Sequence, residues 1–170
     1  MKTDIIYTTT IQTPIRTMFA ASFKNELILF VPLERDFIDK QLKHFKKVLN
    51  ANEILEKKEP FFALEKELQE YFAKQREIFT IPLRLIGTAF QIEVWQELLK
   101  IPYGKTISYK EEATNIGKPK AYRAVANANG KNNLSIIVPC HRVVANNGKL
   151  GGYTGGIDIK EFLFKLENKG

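Results

Sequence analysis

Asn132-Asn-Leu-Ser-Ile-Ile-Val138 runs directly into Pro139-Cys140-His141-Arg142-Val143-Val144. The first part reads as an apolar strand, and the proline, which cannot donate to a ladder, ends it. What the strand delivers is the only cysteine in 170 residues beside one of only two histidines. A cysteine is a strong nucleophile only as its thiolate, so a working Cys140 needs a base or a cation close by. His141 and Arg142 are the adjacent choices. Neighbours on an extended chain point to opposite faces, so a bridging water is the expected link from Cys140 to His141. An imidazole used as a base needs a third group to hold its tautomer. Glu167 is the candidate, because it follows Leu163 by four residues and Ile159 by eight and so shares their side of a final helix. Two bland alternatives stay open at this point: a buried thiol acting as a small hydrophobe, and a solvated glutamate near the chain end.

Outward from this stretch, the punctuation is that of short helices. A glycine-rich loop, Leu150–Gly156, precedes the last helix, which has Asp158 as its cap, Glu161 three residues later, and Ile159, Phe162, Leu163 and Leu166 as its inner face. Upstream, Thr88 and Gln91 form a capping box, and Phe90, Val94 and Leu98 repeat every four residues beside a core Trp95. Ile101-Pro-Tyr-Gly104 is a turn. Ser108 and Glu111 open a second helix ending near Ile116–Gly117, and Pro119 suits the first turn of a third, Lys120–Asn129, stopped by Gly130. Two helices joined by so short a link make a helix-turn-helix candidate.

The first half has a different texture. From Thr8 to Val31, β-branched and aromatic runs broken at Lys24–Asn25–Glu26 read as a hairpin. Phe37–Asn50 places Ile38, Leu42, Phe45 and Leu49 on one helical face, and its lysines read as a solvated surface. A helix after Pro60 turns Phe61, Leu64, Leu68 and Tyr71 or Phe72 inward, and Thr80–Gly87 reads as a strand and linker. The expected fold is α/β of the α+β kind. A strand-and-helix domain over residues 1–85 precedes a mostly helical domain over 86–170 that holds the chemistry.

Composition narrows the function classes. Apolar residues at 44% and charged residues at 26% are those of a globular chain. No apolar run is long enough for a membrane helix, and the first residues carry no export signal, so a cytoplasmic protein is expected. One cysteine forbids an intrachain disulfide and fits a reducing compartment. One cysteine and two histidines make a zinc site of that type untenable, so no metal or cofactor is expected. The formal net charge is +7, and Lys100–Lys149 alone holds nine basic residues against only Glu111 and Glu112. That concentration suits a face that meets a polyanion, although a solvated basic surface fits as well.

The motifs together resemble a known family. Pro139-Cys-His-Arg-Val-Val144 is similar to the signature of the O6-alkylguanine-DNA alkyltransferases, also called methylated-DNA–protein-cysteine methyltransferases. Gly87-Thr-Ala-Phe-Gln91, Val94-Trp95, Ile101-Pro-Tyr-Gly-Lys-Thr106, Ser108-Tyr109, Arg123-Ala-Val125 and Gly151-Gly-Tyr-Thr-Gly-Gly156 fall in family order. The likeness is strong from about Phe61 to Glu167 and loose before that. It implies single-turnover transfer of the alkyl group from O6-alkylguanine in double-stranded DNA to the protein's own cysteine, and leaves O4-alkylthymine open as a second substrate. It also implies a ribonuclease H-like N-terminal domain, base flipping, minor-groove contact and a monomer.

By this resemblance, Cys140 is the acceptor, His141 activates it through water, and Glu167 orients His141. Tyr109 gives a proton to the leaving guanine and presses on a phosphate, while Asn132 ties the recognition helix to the active-site turn. Arg123 fills the place of the flipped base. Lys110, Lys118 and Asn146 touch DNA, and Tyr153, Thr154 and Val143 line the base pocket. The chain departs from the family at Ala126 and Asn127, where many relatives have glycine, and at Asn133, commonly proline. Three rivals share some of these features: a lesion-binding relative that lacks the acceptor cysteine, a helix-turn-helix regulator with an inert thiol, and a Cys–His hydrolase.

Overall fold

The computed structural model describes residues 4–151 and 156–168. Its chain divides into two units, Met1–Ile86 and Gly87–Gly170.

In the first unit, apolar and β-branched residues form β1 (Ile5–Gln12), which turns at Thr13–Arg16 into β2 (Thr17–Phe23). Thr13 closes that turn, its hydroxyl accepting from the Arg16 amide at 3.2 Å. Lys24 and Asn25 then both take left-handed backbone conformations, φ 50° and 65°. Two such residues in succession match the twist of a tight hairpin and bring back β3 (Glu26–Pro32). The helix α1 (Arg35–Val48) crosses to β4 (Glu53–Glu56), a short strand parallel to β1 that the sequence pattern did not announce. The sheet order is β3-β2-β1-β4. Leu27–Val31 is buried without interruption, so β3 is covered on both faces. Ile38 and Phe45 of α1 join Ile6, Phe23, Ile28 and Leu29 in one core cluster, each such side chain contributing about 1.5–3 kcal/mol when buried. Leu42 and Leu49 of the expected stripe pack at the margin of this cluster.

Phe61 ends a 3₁₀ turn that packs against β2, and α2 (Phe62–Phe72) follows, burying Leu64, Leu68 and Tyr71. The strand expected over Thr80–Gly87 shrinks to a single bridge, Leu27 to Leu83. Its two hydrogen bonds run from the Leu27 amide to the Pro82 carbonyl and from the Arg84 amide to the Leu27 carbonyl. Pro82 has no N–H with which to extend the ladder.

The second unit opens with α3 (Ala89–Leu98), whose capping box of Thr88 and Gln91 is fully formed. Trp95 is buried, and its indole N–H donates to the Ala128 carbonyl at 2.9 Å. The strand β5 (Ile107–Ser108) leads into α4 (Tyr109–Asn115), capped by Ser108 and Glu111 as the spacing requires. After a turn over 116–121, α5 (Tyr122–Gly130) packs on both α3 and α4. It starts two residues later than the pattern suggests. The strand β6 (Val143–Val144) pairs parallel to β5, and α6 (Ile157–Asn168) closes the unit.

Two expectations are corrected here. Residues 132–138 are not a strand but a series of buried turns, with the Ile137 amide donating to Ser135 and the Val138 amide to Leu134. Ile136 adopts φ 73°, a strained value for a β-branched residue. A buried apolar run carries no period that separates strand from turn. In α6, Asp158 lies in the first turn instead of capping the helix, and Phe162 is 40% exposed. The inner face is Ile159, Lys160, Leu163 and Glu167. Two of these carry charge, so a purely apolar stripe was the wrong template.

Candidate active site

Cys140 is 3% exposed and begins a single 3₁₀ turn, Cys140–Arg142, instead of ending an extended strand. Asn132, buried just beyond α5, holds that turn at three points. Its Nδ2 donates to the Val138 carbonyl at 2.8 Å and to Cys140 Sγ at 3.2 Å, while its Oδ1 accepts from the Leu134 amide at 2.9 Å. One asparagine thus fixes both the thiol and the strained loop before it.

His141, 1% exposed, faces Glu167: Nε2 lies 2.6 Å from Oε2. Glu167 is not frayed into solvent but buried, and four donors converge on its two oxygens. Arg142 donates from Nε to Oε1 at 2.8 Å and from Nη2 to Oε2 at 3.1 Å. The Gly104 amide adds a contact to Oε1 at 3.3 Å, and His141 supplies the fourth. The remaining Arg142 nitrogen, Nη1, donates to the Ile101 carbonyl at 2.7 Å. A buried carboxylate is tolerable only when paired in this way. Burial pushes the His141 pKa below its ordinary 6.5, against the opposing pull of Glu167. The neutral ring donates from Nε2 to the carboxylate, a tautomer assigned from the network. Nδ1 then keeps its lone pair, and among the described residues it has no hydrogen-bond partner.

The β5–β6 pairing sets Ser108 against Val144 and thereby brings Tyr109, the first residue of α4, to the same site. Burial, then the negative charge of Cys140, then that of Glu112, push the Tyr109 hydroxyl up to about 12. Gly151 takes φ 74°, and a Cβ there would lie 3.1 Å from the Tyr109 hydroxyl, so both backbone and packing require glycine. Lys160 is the residue the sequence reading missed. Fully buried, it donates from Nζ to the Tyr109 hydroxyl at 3.3 Å and lies over that ring at 5.6 Å. Burial pulls its pKa down to about 8, with Cys140 opposing. The signal was available, since Lys160 stands seven residues before Glu167 and so on the same helical face.

Arg123, Lys110, Lys118 and Asn146 are all exposed. Lys118 pairs with Glu93 at 2.7 Å, and Lys110 lies over the Tyr122 ring at 5.4 Å. Asn146 Oδ1 accepts from the Lys110 amide at 3.2 Å, which ties the loop after β6 to the start of α4. Val143 is completely buried. Tyr153 and Thr154 lie outside the described residues. Among the described residues no three His, Cys, Asp or Glu side chains converge as a metal-ligand set, and no helix is long and apolar enough to cross a membrane.

The fold and the site place the chain in the class of proteins built around a buried cysteine backed by a histidine–carboxylate pair. A family model described as 6-O-methylguanine DNA methyltransferase, DNA binding domain, matches residues 89–169. The chain is 47% identical over 135 residues to the methylated-DNA–protein-cysteine methyltransferase of Methanosarcina barkeri, covering 76% of this chain and 85% of that one. With the constitutive enzyme of that name from Bacillus subtilis it is 41% identical over 163 residues, covering 95% and 94%. The crystal structure of Mycobacterium tuberculosis O6-methylguanine methyltransferase superposes with a TM-score of 0.84 at 39% identity, covering 96% of this chain and 93% of that one. The Mycobacterium tuberculosis OGT solved in complex with DNA gives 0.80 at the same identity, covering 95% and 92%. The chain belongs to the methylated-DNA–protein-cysteine methyltransferase family.

Proposed function

We propose that this chain repairs DNA by moving the alkyl group of an O6-alkylguanine onto Cys140, once per molecule. The observation that carries the reading is one buried thiol held by Asn132, with the His141–Glu167 pair beginning at the next residue and Tyr109 and Lys160 close enough to feel its charge. The Cys140 sulfur, as its thiolate, attacks the alkyl carbon in line with the carbon–oxygen bond. A thioether forms, the C–O bond breaks, and the electron pair moves into the purine. Tyr109 then gives the base a proton, and the Lys160 ammonium stabilises the oxygen that Tyr109 exposes. A water between Cys140 Sγ and His141 Nδ1 carries the thiol proton to the ring, and Glu167 stabilises the imidazolium that results. Arg142 makes a buried carboxylate affordable at that place. A thioether has no easy reverse path, so the protein is consumed.

Inside a stacked duplex the target oxygen is out of reach of a buried sulfur, so the nucleotide has to be extruded. The exposed Arg123 on α5 is suited to fill the gap, and Lys110, Lys118 and Asn146 to hold phosphates. With α4 and α5 joined by the turn 116–121, this reading makes the pair a helix-turn-helix that enters the minor groove. In this reading Val143 belongs to the wall of the base pocket. The sheet order β3-β2-β1-β4, with β4 parallel to β1 through a helical crossover, supports the ribonuclease H-like likeness of the first unit. A reduced cysteine is a requirement of this chemistry and fits a cytoplasmic location, and the family likeness supports a monomer.

The test is a stoichiometric titration of the protein with duplex DNA carrying O6-methylguanine. Repaired guanine is expected to plateau at one equivalent per chain. Binding without repair would leave a lesion-binding or regulatory protein, and repeated turnover on acyl substrates would leave a hydrolase.

A further inference from the structure

Glu112 has no part in the chemistry above, yet it is fully buried where α4 meets α5. Its Oε1 accepts from the Asn129 side-chain amide at 2.8 Å. The other two oxygens of this pair, Glu112 Oε2 and Asn129 Oδ1, are also buried, and among the described residues neither has a hydrogen-bond partner. Two acceptors left over on one acid–amide pair is an unusual pattern, because buried polar atoms are nearly always satisfied. No cation among the described residues pairs with Glu112. The titratable groups facing it are Glu97 of α3, which adds negative charge, and Tyr109 on its own helix. The only charged side chain of α5 is the exposed Arg123, and β6 has none.

A single proton resolves the pattern. On Glu112 Oε2 it becomes a donor to Asn129 Oδ1, and the acid and the amide then share two hydrogen bonds in a ring. We propose that Glu112 is a positioning residue held as a neutral acid, whose proton joins Asn129 to lock α5, with Arg123, against α4, with Tyr109. The pair thereby couples DNA engagement to proton occupancy. Burial, with Glu97 adding to it, moves the carboxyl from 4.5 up to about 7, so the lock is closed at mildly acid pH and opens as the pH passes neutrality. This inference rests on the reading of α4 and α5 as the DNA-facing pair.

The linkage has a definite sign. Between 4.5 and 7 the folded state holds a proton that the unfolded state has lost, so stability falls as pH rises through this range and levels off above it. Glu112→Gln supplies the same ring of hydrogen bonds at every pH. The ratio of folding equilibrium constants, variant over wild type, should therefore rise about tenfold between pH 6 and pH 8.5 in urea titrations. The affinity ratio for undamaged duplex DNA should rise over the same range. A titration of the Glu112 carboxyl carbon by NMR in the wild-type protein checks the proton directly and does not depend on the variant folding. A flat stability ratio, or a carboxyl that titrates near 4.5, overturns the proposal. So does an affinity ratio that stays flat while stability changes. If neither protein repairs O6-methylguanine at any pH, the DNA-facing reading itself has failed, which the titration of Glu112 separates from the failure of the lock.

Discussion

Replacing Glu167 by glutamine keeps the shape of the site and removes one charge. In the wild-type protein that charge receives Arg142 at 2.8 and 3.1 Å, His141 at 2.6 Å and the Gly104 amide at 3.3 Å. Breaking a buried ion pair on one side costs about 3–5 kcal/mol, because the partner is left uncompensated. Glutamine still accepts through one oxygen, so the lower end, about 3 kcal/mol, is expected. For a chain of this size that lowers Tm by roughly 6–12 °C. The kinetic effect is separate. Without the carboxylate, the imidazolium formed during thiol activation loses its stabiliser and His141 its fixed tautomer, and transfer should slow by at least about 100-fold, roughly 2.7 kcal/mol of barrier. The assay is single-turnover transfer from a methylated duplex at a temperature where both proteins are folded, beside a thermal melt. Affinity for undamaged duplex should hardly change. Adding Arg142→Met to Glu167→Gln removes the orphaned guanidinium, so it should recover most of the stability while leaving transfer slow. A double variant that regains both stability and wild-type rate would refute the reasoning, since Glu167 would then be a structural anchor only.

Three further outcomes follow from the same geometry. Lys160→Met should slow transfer roughly tenfold and lack the fall in rate above pH about 8 that loss of the Lys160 ammonium is expected to cause in the wild type; a pH–rate profile decides it, and an alkaline limb shared by both proteins counts against Lys160. Gly151→Ala places a Cβ against Tyr109 on a left-handed backbone, so it should cost about 1 kcal/mol or more in urea titration and slow transfer as well. Lys110→Ala should weaken duplex binding measured by fluorescence anisotropy and shallow its salt dependence by about one charge, because an exposed phosphate contact is lost, with the melting temperature unchanged.

The helices α3 and α4 of the second unit were legible because each carries its own capping signal. Both capping boxes, at Thr88–Gln91 and Ser108–Glu111, form as their spacing requires, and Trp95 is core. The Lys24–Asn25 break likewise marks a turn whose two residues tolerate positive φ. Elements held by distant partners were not legible. The strand β4 is four residues of mixed polarity that exist because β1 lies beside them, and β5 and β6 are only two residues each. Residues 132–138 look like a strand, yet Asn132 folds them into turns through hydrogen bonds that no periodicity encodes. In the site, Cys140, His141 and Glu167 were readable from chemistry and helical spacing. Arg142 as the partner of Glu167 was not, since adjacency suggested only a local charge near the thiol. Lys160 was hidden by the habit of assigning lysine to the surface, which full burial against Tyr109 overrules.

The most direct measurement is intact-protein and peptide mass spectrometry after incubation with an O6-methylguanine duplex, on the wild type and on Cys140→Ala. The account predicts one methyl per chain, on the peptide that contains Cys140, with the lesion returned to guanine and no gain in the alanine variant. An unmodified protein beside an intact lesion, or a methyl found on any other residue, would contradict it.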